Sequence, residues 1–270
     1  MREIITSRQN PRIKETCALC DKKSRRKSGL FRFDGIKLFC DCLGKVDISS
    51  VFVRDPESPS VARALEGALS EGYIDEKKIV YVSESVFEKL SEEVSPEGMI
   101  TVARMPEELH RTFRGELPEG TLLLVESLRD AGNLGTVIRS SAALGIDTLI
   151  ISDDCAELYN PKTVRSAMGA LFRMPTLTVK REEMPTFVRS LRASGRAVYA
   201  AALRENAKIV GDFDLKRGDC FVIGNEGHGL SEELIEACDS AAIIPMREGN
   251  ESLNAAAAAA ICIWETVRAK

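Results

Sequence analysis

Six consecutive alanines at 255–260 stand between a polar loop and a short apolar stretch. No other feature limits the fold of this chain as tightly. A surface helix carries charged positions at helical spacing, and this run has none, so a helix over 253–268 is predicted to be buried, within the fold or against a partner subunit. Side chains this small allow very close backbone packing, or passage through a narrow opening. A buried strand is predicted before it, over 240–244, and the joining loop holds Pro245, Met246, Ser252 and Asn254. Ser252 and Asn254 straddle the helix start, where either could serve as its cap.

The rest of the chain alternates in the same way. Short apolar runs at 121–125, 148–152, 197–202 and 220–223 read as strands, with helical segments near 134–144, 161–171, 182–194 and 231–238. Near-continuous apolar strands separated by helices imply a parallel sheet covered on both faces. Upstream, strands are predicted at 30–33, 50–53, 79–82 and 99–103, with helices at 11–26, 37–43, 60–71 and 85–92. This makes a smaller α/β layer. Between the two layers, residues 105–120 hold two prolines, two glycines and many charges, the composition of a linker. The expected domains are therefore 1–104 and 121–270.

Bulk properties narrow the class. No apolar run approaches the roughly 20 residues of a membrane helix, and the charged N-terminus lacks a signal core, so a cytoplasmic protein without a membrane partner is expected. Net charge is −4, but residues 1–30 carry nine basic side chains against three acidic ones. A local basic stripe is the footprint of phosphate contact, although a solvated helix face would look the same. Arg25, Arg26 and Lys27 lie at its end. Eight cysteines include Cys17-x-x-Cys20 and Cys40-x-Cys42. The first pair falls within the predicted helix, with no Gly or Pro to shape a metal knuckle, so no metal is expected and the thiols are read as reduced, small hydrophobes.

Three polar loops follow apolar runs, and carboxyl ends of parallel strands are where open α/β sheets hold ligands. The first, 126–139, places Asn133 near a helix N-terminus and Arg139 one to two turns further in. A guanidinium there suits a phosphate or ribose. The spacing lacks the Gly-x-Gly-x-x-Gly of a dinucleotide site, which argues against a nicotinamide-dependent oxidoreductase. The second, Gly224-Asn225-Glu226-Gly227-His228-Gly229, offers bare backbone groups to a ligand. Its Glu226 could steady an arginine, position a substrate or cap the following helix, and a lone His228 is more often a spectator. The third is the 244–254 loop.

Taken together these loops resemble the signature of the SpoU-type RNA 2′-O-ribose methyltransferases of the SPOUT superfamily. N-x-G-x-x-x-R is matched by Asn133, Gly135 and Arg139. A G-N-E-x-x-G-L strand end is matched by Gly224, Asn225, Glu226, Gly229 and Leu230, and I-P-M…S-L-N by Ile244, Pro245, Met246, Ser252, Leu253 and Asn254. The segment from Pro161 through Arg165 to Phe172 fits between them. Weaker cues (Ser7 to Pro11, Phe31 to Gly35, Val94 to Gly98) are similar to the family's ribosomal-protein-like substrate-binding domain. Ile36 replaces the usual proline there, and Glu97 stands where glutamine is common.

The resemblance implies an α/β chain whose C-terminal parallel-sheet domain carries a trefoil knot, with a smaller N-terminal RNA-binding domain. It implies S-adenosylmethionine held by Gly224, Asn225, Ile244, Met246 and Leu253, and methyl transfer to a ribose 2′-hydroxyl. Arg139, Asn133, Glu226, Ser252 and Asn254 would be the catalytic set, Arg139 at the hydroxyl and the others fixing it and the ribose. Arg25, Arg26, Lys27 and Arg165 would contact structured RNA, with ribosomal RNA the expected substrate and transfer RNA the alternative, and the C-terminal domain would form a homodimer. A second hypothesis is an RNA-binding protein on this scaffold without methyltransferase activity. The intact motif residues weigh against it.

Overall fold

The computed structural model describes residues 2–247, 249 and 252–268. Glu248, Asn250 and Glu251 of the third loop lie outside the described residues. Two compact units are present: residues 1–106 with 159–165, and residues 107–158 with 166–270.

In the first unit the order is β1 (Ile4–Ile5), α1 (Pro11–Ala18), α2 (Lys22–Ser28), β2 (Leu30–Asp34), α3 (Ile36–Cys42), β3 (Ile48–Asp55), α4 (Pro59–Ser70), β4 (Ile79–Ser83), α5 (Glu84–Leu90) and β5 (Met99–Arg104). Its five-stranded sheet runs β1-β4-β3-β5-β2. β3 and β4 pair in parallel, and β5 is antiparallel to both β3 and β2. Ile13, Phe52, Val82, Phe87 and Ile100 are buried together on the face covered by α1 and α5. Removing such side chains from water is the main force that holds a layer of this kind together.

The predicted single helix over 11–26 is broken. The chain turns at Leu19 and Cys20, and Asp21 restarts it as the cap of α2, its carboxylate accepting from the Ser24 N–H at 3.0 Å. Arg25 is the reason the turn holds. It is only 1% exposed, and its Nη1 donates to the carbonyls of Leu19 and Cys20 at 2.7 and 2.8 Å. A guanidinium so enclosed satisfies buried backbone acceptors and is not presented to phosphate, which corrects its place among the RNA contacts. Lys22, Lys23, Arg26 and Lys27 are exposed on the same short helix.

The second unit continues with β6 (His110–Thr112), β7 (Leu122–Val125), α6 (Ala131–Leu144), β8 (Thr148–Ser152), α7 (Pro161–Ala167), β9 (Thr176–Val179), α8 (Met184–Ala193), β10 (Val198–Ala201), β11 (Lys208–Ile209), β12 (Cys220–Ile223), α9 (Glu232–Ala237), β13 (Ser240–Ile243) and α10 (Ala255–Arg268). The first five residues of α7 cluster with the first unit. All eight strands are parallel, in the order β11-β13-β10-β12-β7-β8-β9-β6. β6 lies inside the stretch expected to be a linker. Its prolines, Pro106 and Pro118, bracket the strand rather than interrupt it, and His110 to Thr112 pair with Thr176 to Thr178. Burial pushes the His110 imidazole down to about 4, so it is neutral at pH 7.

From β7 the chain builds outward through β8 and β9, then returns to lay β12 and β10 on the opposite side of β7. The reversal falls between β7 and β12, and their carboxyl ends open a crevice, the topological switch point of an open α/β sheet. α10 packs against α6 and β12. Ala255, Ala256, Ala259, Cys262 and Ile263 are buried, whereas Ala257 is exposed and Trp264 is 54% exposed. The alanine helix is thus buried on one side within this chain. Cys42, Cys155, Cys220, Cys238 and Cys262 are buried free thiols, and burial pushes those of Cys42, Cys238 and Cys262 up to about 12. Among the described residues no group of three or more His, Cys, Asp or Glu side chains could hold a metal ion.

Candidate active site

The chain leaves β7 in a strained turn. Ser127 has φ +56°, a left-handed conformation costing a non-glycine residue about 1–3 kcal/mol. Three hydrogen bonds hold it there. Its N–H donates to Ser152 Oγ at 2.7 Å, its hydroxyl donates to Asp154 at 2.7 Å, and its carbonyl accepts from Asn225 Nδ2 at 2.8 Å. Asp130 then caps α6, accepting from the Asn133 N–H at 2.8 Å. Because Asp130 does the capping, the side chain of Asn133 is left for other partners.

Those partners come from the two later loops. Asn133 Nδ2 donates to Glu226 Oε1 at 3.0 Å, and Asn133 Oδ1 accepts from Asn254 Nδ2 at 3.0 Å. Asn254 in turn caps α10 through its Oδ1, which accepts from the N–H groups of Ala256 and Ala257 at 2.9 and 3.2 Å. Residues separated by 93 and 121 positions meet in one network. Glu226 also accepts from the N–H groups of Arg129 and Asp130, at 3.3 and 3.2 Å. The question of whether Glu226 caps the helix after its own loop is thereby answered: it serves the entry to α6 instead. Burial pushes its carboxyl up, but the bonds from Asn133, Asp130 and Arg129 outweigh this and leave it below the usual carboxylate range, a charged acceptor.

The second loop folds on itself. Asn225 and Gly229 exchange backbone hydrogen bonds at 2.9 and 3.0 Å, and Asn225 Oδ1 accepts from the N–H groups of Gly227 and His228. Gly224 permits this closure, since a Cβ there would lie 2.4 Å from the Gly229 carbonyl carbon and 2.5 Å from the Leu230 nitrogen. The glycine is therefore required by the loop's own backbone, not by open space in front of it.

Beside this network is a cavity of about 620 Å³, within the size range of small-molecule sites. It is lined by the carboxyl ends of the adjacent strands β10, β12 and β13 and by the start of α10. Gly224, Asn225, Ile244, Met246 and Leu253, the five predicted cofactor residues, all line it, as do Glu226 and Ser252. Apolar walls from Ile223, Leu230, Ile235 and Ala242 alternate with bare backbone of the glycine loop. That combination suits a flat heteroaromatic ring read at its edge by N–H and C=O groups.

Arg139 is not drawn into this arrangement. It is exposed on α6, does not line the cavity, and makes no hydrogen bond or ion pair with the described residues. Arg26 and Lys27 lie exposed on α2, while Arg165 on α7 is 3.6 Å from Glu93. Sequence reasoning overlooked the loop after β10, where Ala202, Leu203 and Arg204 line the cavity. The carboxyl-end rule that identified the other loops points to it equally. It also overlooked Glu126 and Ser231, which had no motif of their own.

Comparison with known proteins agrees with this geometry. The SpoU rRNA Methylase family model matches residues 120–264, and an MRM3-like substrate binding domain matches residues 10–101. A 23S rRNA (guanosine(2553)-2′-O)-methyltransferase of Bacillus subtilis (strain 168) is 32% identical over 263 residues, 96% of this chain and 97% of that protein. The AdoMet-bound rRNA methyltransferase from Sinorhizobium meliloti superposes with a TM-score of 0.83 at 27% identity, covering 98% of this chain and 97% of its own. AviRb from Streptomyces viridochromogenes, a SpoU methyltransferase in complex with AdoMet, gives 0.77 at 26% identity, covering 96% and 98%. The chain belongs to the SpoU rRNA methylase family. It is an RNA 2′-O-methyltransferase, and its cofactor is S-adenosylmethionine.

Proposed function

We propose that the chain methylates one ribose of large-subunit ribosomal RNA, binding S-adenosylmethionine in the cavity at the ends of β10, β12 and β13. The observation that carries this is the meeting of Asn133, Glu226 and Asn254 at the rim of that cavity. The 23S rRNA substrate of the Bacillus relative supports the choice of RNA.

In this reading the cofactor supplies an activated methyl group on a sulfonium, so the chain's task is orientation and removal of a proton. Gly224, Asn225, Ile244, Met246 and Leu253 hold the cofactor through backbone and apolar contact. Glu226, fixed as an anion, and Asn254 orient the Asn133 amide, and Ser252 adds a hydroxyl toward the ribose. A guanidinium is a donor with no acceptor site, so the part of Arg139 is to stabilise the developing 2′-alkoxide while an RNA phosphate oxygen takes the proton and S-adenosylhomocysteine leaves. Exposed Lys22, Lys23, Arg26, Lys27 and Arg165 give the RNA its phosphate contacts; Arg25 is withdrawn from that set.

The half-covered α10 supports a homodimer as part of this reading. Ala257, Ile261, Trp264 and Val267 form a stripe at helical spacing, with Trp264 54% exposed, and α6, the neighbour of α10, carries Arg139. A second copy covering this face would enclose Arg139 and complete the site. The knot belongs to the same proposal: α10 returns to pack on β12 and α6 after β13, and its small residues suit threading past a preceding loop. A cytoplasmic location is proposed from the bacterial 23S rRNA relative; no helix of the described residues is long and apolar enough to cross a membrane.

The test is to incubate the purified chain with radiolabelled S-adenosylmethionine and unmodified 23S rRNA, 16S rRNA or bulk tRNA, then map alkali-resistant riboses. Incorporation at one 23S position is expected. Label appearing only in tRNA would overturn the choice of RNA, and label on a base instead of a ribose would overturn the reaction.

A further inference from the structure

Glu126 ends β7 with its carboxylate inside the protein, 2% exposed. A charge buried there costs more than an apolar side chain unless its lone pairs are matched. Both oxygens are matched by one residue of the opposite loop: Oε2 accepts from the Ser231 N–H at 2.7 Å and Oε1 from the Ser231 hydroxyl at 2.6 Å. Arg181 Nε is a further 3.8 Å away. Ser231 is the N-cap residue of α9, yet its side chain makes no capping bond. An N-cap serine ordinarily satisfies a free N–H of its own helix, so here the hydroxyl has been diverted to Glu126.

Glu226 makes the opposite connection. It leaves the glycine loop and accepts from the backbone of Arg129 and Asp130 in the loop after β7. Each loop therefore sends one carboxylate into the other, and Asn225 adds a third tie to the Ser127 carbonyl. The two ties lie at opposite ends of the segment 224–230, every residue of which lines the cavity. Glu226 fixes its beginning; Glu126 fixes its end through Ser231, the next residue along.

From this geometry we propose that Glu126 is a positioning residue for the cofactor: through Ser231 it anchors the far end of the glycine loop. It touches neither cofactor nor RNA. Its effect passes to the cavity wall, so it governs how tightly the cofactor is held and leaves the methyl-transfer step to the Asn133 side. The inference rests on the assignment of the cavity to S-adenosylmethionine.

Glutamine at position 126 keeps the volume and can still meet the Ser231 N–H and hydroxyl, but it loses the charge that makes both bonds the stronger kind. Glu126→Gln is expected to raise both the Kd and the KM for S-adenosylmethionine about tenfold, with kcat at saturating cofactor within threefold of the parent. Ser231→Ala loses only the hydroxyl bond and should weaken binding by about threefold. Ser231→Thr, which restores the hydroxyl, should recover it. The double variant Glu126→Gln with Ser231→Ala should be no worse than Glu126→Gln alone, because both act through one contact. Calorimetry on the full-length folded variants and steady-state kinetics read these values. Should Glu126→Gln fail to fold, the Ser231 pair carries the test unaided. A folded Glu126→Gln or Ser231→Ala chain with parent-like affinity, or losses that multiply in the double variant, overturns the positioning role. A parent chain that binds no S-adenosylmethionine would instead remove the cofactor assignment on which it rests.

Discussion

Gly224→Ala is a single added methyl group whose consequences can be worked from the structure. The new Cβ would sit 2.4 Å from the Gly229 carbonyl carbon, where ordinary contact begins at 3.4 Å. The facing backbone must move by about 1 Å, since neither Gly229 nor Leu230 can swing a side chain aside. That movement breaks the paired Asn225–Gly229 bonds of 2.9 and 3.0 Å, each worth roughly 0.5–1.5 kcal/mol net. A loss of about 2 kcal/mol in the shape of the cavity wall corresponds to about 30-fold weaker cofactor binding. The fold should survive, because the strain falls in the loop and leaves β12, with Cys220 to Ile223 buried, untouched. Calorimetry with S-adenosylmethionine measures the affinity, and circular dichroism checks the fold. A folded Gly224→Ala chain that binds within threefold of the parent would refute the reasoning.

Further outcomes are expected elsewhere. Arg139→Ala should lower the methylation rate at least ~10²-fold, the scale of one lost electrostatic stabiliser, with cofactor affinity unchanged; single-turnover assays that find a rate within a few-fold of the parent would remove Arg139 from the chemistry. Converting Lys22, Lys23, Arg26 and Lys27 to glutamate should weaken RNA binding and flatten its dependence on salt, because each phosphate contact releases counterions. An unaltered slope in filter binding at several salt concentrations would mean that α2 is only a solvated face. Trp264→Glu is harmless to an exposed position in one copy but would bury an unpaired charge between two, so the variant should become monomeric and inactive together. Light scattering of a fully active monomeric parent would contradict that coupling.

Much of the catalytic half was legible because its signals are local. Apolar runs of four or five residues located β7, β8, β10, β12 and β13, and polar residues just beyond three of them located the site. What was missed depends on distant partners. β6 is three residues long and stands only because Thr176 to Thr178 lie beside it; nothing in its own composition separates it from linker. Arg25 looked like its neighbours Arg26 and Lys27 in the sequence, and only the turn at Leu19 and Cys20 makes it an internal staple. Glu126 and Ser231 are 105 positions apart, and neither belongs to a motif, so their contact could emerge only once β7 and β12 were adjacent.

The switch point explains why the chemistry is divided as it is. β12 and β7 are neighbours in the sheet, yet the chain reaches them from opposite directions. The glycine loop after β12 lines the cavity on the β10 and β13 side, while the loop after β7 meets it through Glu226 and leads into α6. In the proposed reading, cofactor and ribose are served by loops that start about one strand spacing apart, near 4.8 Å. Such an arrangement works only if the two loops keep a fixed register, and two carboxylates acting in opposite directions supply that constraint. Hydrogen bonds to charged groups are the stronger kind, about 1.5–3 kcal/mol each, which suits Glu126 and Glu226 to the task better than neutral side chains. Of the predicted catalytic set, Asn133, Glu226 and Asn254 belong to this network, Ser252 lines the cavity, and Arg139 does neither. Its exposure on α6, the helix that packs against the half-covered α10, is why the proposed second copy bears on catalysis.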